Sequence, residues 1–231
     1  MANRPLYQPV ASDGCPRVLI KNIDFTWYSG FSIQQKQKSI ESLHTAAQSM
    51  GLNPILEISS KSKDELGVSL SAFNLMINTR KNKVFSVESA FQGSKVFEHG
   101  GPFPELLQVR SIDAKRDRRL KERGNLIGFS FFGQDFPIKP RTSFYDWLYI
   151  NALNQDEEIK ELLVEFQAFS DIEFNPKKSL NCQAYSTALF VSLVKTGMLH
   201  SALASFDEFK HILKDEYQMR DSSLAVQGSL I

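Results

Sequence analysis

Leu75-Met76-Ile77-Asn78-Thr79-Arg80-Lys81-Asn82-Lys83-Val84-Phe85-Ser86-Val87-Glu88-Ser89-Ala90-Phe91-Gln92-Gly93-Ser94-Lys95-Val96-Phe97 is the stretch whose reading decides the fold. Two short apolar runs, Leu75–Asn78 and Val84–Val87, flank a polar five-residue segment and predict a β-hairpin. A helix is predicted from about Ser86 to His99, halted by Gly100-Gly101-Pro102. Along it Glu88, Gln92 and Lys95 fall at i, i+4 and i+7, so all three project from one face. Two turns, about 10 Å of rise, separate Glu88 from Lys95, too far for a direct ion pair. A side chain or a ligand between them would complete the stripe. Gly93 costs such a helix roughly 1 kcal/mol against Ala, which a close backbone approach would explain.

Upstream, Met1–Pro16 carries Pro5, Pro9 and Pro16 and reads as an extended lead outside the domain. Val18–Tyr28 reads as a strand and Ser32 as the cap of a helix running to about Met50, where Gly51 stops it. Pro54–Ile58 is a short strand, and Ser59–Gly67 a polar loop. Downstream, short helices are predicted over Pro104–Val109 and from Ser111 to Gly124-Asn125, with Leu126–Phe132 a strand or buried turn. The last third reads as four helices: Thr142–Leu153, Asp156–Ala168, Asn181–Thr196 with Asn181 at the N-cap, and Asp207–Tyr217. Residues 220–231 read as a frayed tail. No internal repeat or long linker divides the chain. The fold class that follows is α+β: one helix-rich domain over residues 17–219, with a few short strands.

The 231 residues suffice for one sizeable core, and 42% hydrophobic residues with 18 Phe exclude wholesale disorder. A formal net charge of +1 means that a nucleic-acid surface has to come from local clustering. Cys15 and Cys182 form no CxxC pair, and His44, His99, His200 and His211 are scattered, so no metal or cofactor is expected. No apolar run reaches the ~20 residues of a membrane span, and the N-terminus lacks a signal sequence, so a cytoplasmic protein with no membrane partner is expected. Local charge concentrates in Ser111–Arg123, where Lys115, Arg116, Arg118, Arg119, Lys121 and Arg123 outnumber the acids. Such a helix either contacts phosphates or is solubilised by i,i+4 pairs. Lys36 and Lys38 on the first helix, and Trp27, Tyr28 and Phe31 before it, admit the same choice between nucleic-acid contact and ordinary surface or packing.

The segment Leu70-Ser71-Ala72-Phe73-Asn74, the hairpin, and then Val87-Glu88-Ser89-Ala90-Phe91-Gln92-Gly93-Ser94-Lys95 resemble the paired signature of the NADAR family, an "LSNF" segment followed by a "TxEHxFQAxKF" helix. Ala72 replaces the usual Asn, and Ser89 the usual His. The likeness extends through Asn125-Leu126-Ile127-Gly128 and Phe144-Tyr145-Asp146-Trp147-Leu148. It ends with Asp171-Ile172-Glu173-Phe174-Asn175 and Asn181-Cys182-Gln183-Ala184. Residues 27–40 are similar to the opening of the family's antitoxin branch in DarT–DarG-type systems. The resemblance implies an N-glycosidase that removes ADP-ribose from guanine bases in DNA and so counteracts a DNA ADP-ribosyltransferase toxin. It implies Glu88, Lys95 and Asp171 as catalytic residues, with Glu173 the competitor for the second carboxylate. Ser71, Phe73, Phe91, Gln92, Asn125, Asn181, Lys36 and Lys38 become candidate contacts to ADP-ribose or DNA. A carboxylate would stabilise the positive charge built on the ribose as the base leaves, or a partly neutral lysine would attack C1″. A ribosylamino-pyrimidine phosphate glycosidase and a non-catalytic binder of ADP-ribose or toxin are the alternatives.

Overall fold

In the computed structural model, which describes residues 1–12, 14–176 and 179–228, the proline-spaced N-terminal stretch is a strand and not a lead outside the domain. Strand β1, Ala2–Ser12, pairs along its whole length with β2, Cys15–Phe25, from Ala2↔Phe25 to Ser12↔Cys15. Pro5 and Pro9 share the parity of Tyr7, the residue of β1 that meets Phe169 across the other edge. Their missing N–H groups therefore fall on the side away from β2, where that ladder loses nothing.

Helix α1, Ile33–Gln48, is capped by Ser32, whose side chain accepts from the Gln35 N–H. Strand β3, Ile55–Glu57, and helix α2, Glu65–Ser69, lead to the predicted hairpin of β4, Met76–Asn78, and β5, Val84–Ser86. Helix α3 covers Val87–Gly93 and is followed by strand β6, Lys95–Phe97, and a 3₁₀ turn over Pro104–Gln108. Then come α4, Ser111–Arg116, α5, Arg119–Glu122, and strands β7, Leu126–Phe131, and β8, Gln134–Phe136. The last third comprises α6, Ser143–Leu153, α7, Glu157–Leu163, β9, Ala168–Ser170, α8, Gln183–Lys195, α9, Leu199–Ala202, α10, Phe206–Ile212, and α11, Lys214–Gly228.

The main sheet has the order β2-β1-β9-β3, with β3 parallel to β9 and the other pairs antiparallel. Adjacent residues of β1 serve opposite faces, as the two-residue period of a strand requires. Leu6 packs with Ile23, Phe25 and the α1 residues Ile40, Leu43 and Ala47. Tyr7 belongs to the larger core with α8, its ring edge-on to Tyr185 at 5.8 Å. Helix α8 is buried from Ala184 to Leu193 and forms the centre of the molecule. A second sheet, β6-β7-β8, rests on α6 through Phe129 and Phe136, each 4.6 Å from Phe144. The architecture is α+β.

Several boundaries differ from the sequence reading, each for a local reason. The motif helix ends at Gly93, not near His99. A Cβ on Gly93 would sit 3.0 Å from the Phe103 carbonyl oxygen, and Gly93 O accepts the Phe103 N–H at 2.7 Å. The chain then pairs Lys95 with Phe129 and Val96 with Gly128. The basic helix is two short pieces because Asp117 folds back onto the Arg119 N–H at 2.9 Å. The expected helix over Asp156–Ala168 stops at Leu163, so that Ala168 can open β9. Residues 220–228 continue α11 where a frayed tail was expected, and Arg220 is buried beneath its own helix.

Two glycines separate a backbone preference from a steric requirement. Gly101 has φ +95, and a Cβ there would lie 2.2 Å from the Lys95 carbonyl oxygen, whereas Gly133, φ +81, faces open space. Gly101→Ala is expected to lower stability by about 2 kcal/mol or more, and Gly133→Ala by only the left-handed backbone cost of about 1 kcal/mol. Urea unfolding of the two variants checks the difference.

Candidate active site

The segment Leu70–Asn74 fastens the start of α3. Ala72 O accepts the Glu88 N–H at 2.9 Å, and the Ala72 N–H is held by Gln183 Oε1 of α8 at 2.7 Å. Ser86 caps α3 by accepting from the Ser89 N–H at 3.0 Å. Ser111, the first residue of α4, donates to Phe73 O at 2.7 Å and lies 2.7 Å from Ser86 Oγ. One hydroxyl thus binds the basic segment to both halves of the motif, and its helix carries Lys115 into the same neighbourhood.

Glu88 is 5% exposed and accepts a hydrogen bond from Gln92 Nε2 at 2.9 Å. Lys115 Nζ stands 3.7 Å from Glu88 Oε1 and 4.9 Å from the centre of the Phe73 ring. Lys95 leaves the helix with β6, so the i, i+4, i+7 stripe becomes an i, i+4 pair plus a strand residue. Its amine nevertheless returns to this place, 4.8 Å above the Phe91 ring. Burial pushes the Lys95 amine down to about 8; Glu88 pulls it upward and Lys115 pushes it further down. Two lysines therefore share one buried carboxylate, which cannot fully neutralise both.

Lys95 opens on a cavity of about 310 Å³, walled by Phe91, Tyr145, Phe129, Arg141, Thr142 and Asn181 among others. Tyr145 meets Phe91 edge-on at 5.1 Å, and burial holds its phenol well above the ordinary range, so it is a neutral donor. A larger depression of about 780 Å³ lies among Lys83, Phe85, Glu105 and Phe131, but Lys95, which lines the smaller cavity, is not on its wall; Glu88 and Lys115 line neither. The charges, not the larger volume, locate the candidate chemistry.

The remaining sequence candidates divide. Ser71 Oγ is buried with no hydrogen-bond partner, which suits a ligand contact. Asn181 lies on the cavity wall, and Cys182, not Asn181, occupies the N-cap of α8, so its side chain is not spent on capping. Asp171 points inward where Glu173 points outward to Lys36, whose Nζ is 3.0 Å away. The Asp171 carboxylate accepts the Glu173 and Phe174 N–H groups, both at 3.0 Å, and is not among the described residues lining the cavity. Burial and the neighbouring Glu57 push the Asp171 carboxyl well above the usual carboxylate range. Asn125 is tied by its N–H and side chain to Glu98 in an exposed turn. Lys38 lies on α1 beside a separate groove with Asp24 and Glu41. Two bases of the basic segment are paired locally, Arg118 with Glu122 and Arg119 with Asp117 and Glu105, and Arg110 just before it pairs with Asp113. Lys115 instead reaches Glu88, a role that sequence reasoning did not single out. Its signal was its place directly after Ala114, one of the few apolar residues of that segment.

The chain matches one family model, described as DarT1-associated NADAR antitoxin, over residues 2–223. The chain belongs to that family. The match includes all of β1 and residues 214–223 of α11. No curated protein matches the chain. The family places it with a DarT toxin as an antitoxin. No helix among the described residues is long and apolar enough to cross a membrane.

The arrangement fixes how the Lys95 charge responds to its neighbours. Lys115→Ala removes a cation and should raise the Lys95 value above about 8; Glu88→Gln removes an anion and should lower it. Titration of ¹³C-methylated lysines by NMR reads both signs, and equal values in all three proteins would contradict the shared-carboxylate geometry.

Proposed function

We propose that this NADAR antitoxin hydrolyses the N-glycosidic bond between ADP-ribose and a guanine base of DNA, reversing the modification made by the toxin with which its family is associated. The observation that carries the reading is the Lys95 amine, held at about 8 over Phe91, facing a cavity and a buried acid. Near pH 7 roughly a tenth of such an amine is neutral, against well under a thousandth for an ordinary lysine. That neutral fraction is what a nucleophile needs.

In the proposed reaction the Lys95 nitrogen bonds to C1″ of the ribose, and the electrons of the broken C1″–N bond pass to the guanine nitrogen. That nitrogen takes up a proton, and Glu88 is the group assigned to move it. The ribose ring opens to a Schiff base on Lys95, water hydrolyses it, and ADP-ribose and free amine result. Lys115, next to Glu88, adds to the effect of burial in lowering the Lys95 amine and offers a cation to the substrate's negative charge. Gln92 fixes the Glu88 carboxylate, while Phe73 and Phe91 offer ring faces. Ser71 and Asn181 are assigned ligand contacts. Asp171 acts on this reading through the turn it caps and not on the ribose. Lys36, paired with Glu173, and Lys38 and Asn125 are assigned no part in the ribose site.

Incubation with a guanine-ADP-ribosylated oligonucleotide should release free ADP-ribose, at a rate that rises with pH through about 8 as Lys95 loses its proton. Borohydride added during turnover should leave ADP-ribose on Lys95. Lys95→Arg should abolish both adduct and release, because a guanidinium stays charged. Glu88→Gln should slow turnover by about 100-fold or more with the fold intact. Tight binding of the modified DNA without any release would instead make the protein a non-catalytic binder. Release with no adduct and an active Lys95→Ala variant would replace the covalent route by carboxylate stabilisation of an oxocarbenium ion.

A further inference from the structure

Arg220 is a cation inside the protein, with its side chain only 9% exposed, on a helix well removed in sequence from the family motifs. Its guanidinium joins three elements. Nη1 donates to Thr142 Oγ1 at 2.8 Å and lies 3.4 Å from Asp146 Oδ2; Nη2 donates to the Leu180 carbonyl at 2.9 Å; and the plane sits 3.6 Å from the centre of the Tyr185 ring. Asp146 is fully buried and is satisfied on both oxygens, by Ser186 at 2.6 Å on Oδ1 and by Thr142 and Tyr217 at 2.7 and 3.1 Å on Oδ2.

Thr142 and Leu180 are wall residues of the Lys95 cavity, and Asn181 follows Leu180 directly. Thr142 stands at the start of α6, its carbonyl accepting the Asp146 N–H at 2.9 Å, while Leu180 is in no helix or strand. Thr142 precedes α6 in a left-handed conformation, φ +67, which a β-branched residue adopts only when its surroundings enforce it. Leu180 lies in the irregular stretch before α8, where Ser179 N→Asn175 O and Ser179 Oγ→Asn181 O are bonds within the stretch itself. The bond from Arg220 to Leu180 O ties that stretch to α11, and the bond to Thr142 ties the facing wall to the same group. The guanidinium's rigid fork lets one side chain set the distance between the two walls, which a single-point ammonium cannot do.

We propose that Arg220 is a positioning residue that holds the two walls of the ligand cavity in register, making α11 part of the binding site although Arg220 is not itself among the residues lining the cavity. The proposal rests on the assignment of that cavity to ADP-ribose for its kinetic consequence, but not for its structural one. The full-length Arg220→Lys variant separates charge from fork: the ammonium keeps a cation beside Asp146, so the fold should survive, while the bridge to Leu180 is lost. Amides of residues 179–182 should exchange with solvent about tenfold faster, the equivalent of one charge-assisted hydrogen bond, with amides of β1 and α8 unchanged. KM for an ADP-ribosylated oligonucleotide should rise about tenfold with kcat within about twofold, since Lys95 and Glu88 are untouched.

Unchanged exchange at 179–182 together with an unchanged KM would overturn the proposal and leave Arg220 a stabilising residue only. A fall in kcat as large as the rise in KM would also overturn it, because the effect would then reach the reacting groups. If the wild-type protein releases no ADP-ribose, the proposed reaction fails, and the exchange measurement still decides whether Arg220 holds the wall. Should Arg220→Lys not fold, Thr142→Val, which cuts the bridge on its other side and leaves the Leu180 bond in place, should raise KM with kcat kept while exchange at 179–182 is unchanged; an unchanged KM overturns the proposal.

Discussion

The turn of the chain at Gly93 sets where everything else in the candidate site can stand. Had the helix run on past Ser94, Lys95 would project from the face of Glu88 two turns away, with a gap of about 10 Å to be filled. Instead the backbone of Phe103 closes on Gly93, Ser94 Oγ donates to Ala90 O at 2.6 Å, and Ser94 O accepts the Ser130 N–H at 2.7 Å. These contacts convert helix to strand within one residue and bring the amine back over the Phe91 ring, which belongs to the helix just ended. A Cβ at position 93 would lie 3.0 Å from the Phe103 carbonyl oxygen, so main chain, not a movable side-chain end, would have to give way for any other residue.

Around that turn the protein tolerates an unusual density of charge and acidity in its interior. Glu88 is served by Gln92 and Lys115, and Asp146 by four partners including Arg220. Glu57 accepts from Ile172 N and Ser170 Oγ, and thereby brackets the backbone on either side of Asp171. Burial raises both Glu57 and Asp171; Glu57 raises Asp171 further, and Glu173 raises both. His44, 2.8 Å from Ser170 Oγ, is driven down to about 4 by burial and stays neutral beside them. The two groups contrast: near Asp171 burial pushes the acids up and His44 down, while beside Glu88 burial lowers the Lys95 amine to about 8 and the half-exposed Lys115 stands 3.7 Å from the carboxylate. Only the second arrangement yields an amine balanced between its protonated and free forms.

The hairpin, the short helix after Phe103 and the strand over Leu126–Phe131 were legible because turn residues and β-branched runs mark them locally. The α+β class followed from the same signals. The end of α3 was not legible, since a lone glycine is compatible with a continuing helix and the group that excludes its side chain is ten residues further on. Strand β1 was hidden by its prolines, which read as a lead until the partner strand reveals which edge lacks donors. Arg220 looked like the beginning of a polar tail because its partners, Thr142 and Leu180, are distant in sequence. Lys115 was one basic residue among six, and only the hydroxyl of Ser111, reaching Phe73 and Ser86, picks out which of them comes close to Glu88. Glu88, Gln92 and Phe91 were placed by the motif; their neighbours had to be placed by the fold.

The position of β9 between β1 and β3 has a consequence for how the molecule comes into being. The N-terminal hairpin is complete once residue 25 has been made, yet the inner edge of β1 has no partner until Phe169 arrives, and β3 has none until Ala168–Ser170. Nearly the whole chain must therefore leave the ribosome before the sheet exists, and α11 must follow before both cavity walls are joined through Arg220. Long-range pairing of this kind makes folding late and cooperative. A fragment released early would present open strand edges and a lysine without its cavity, so the antitoxin is either whole or without its site.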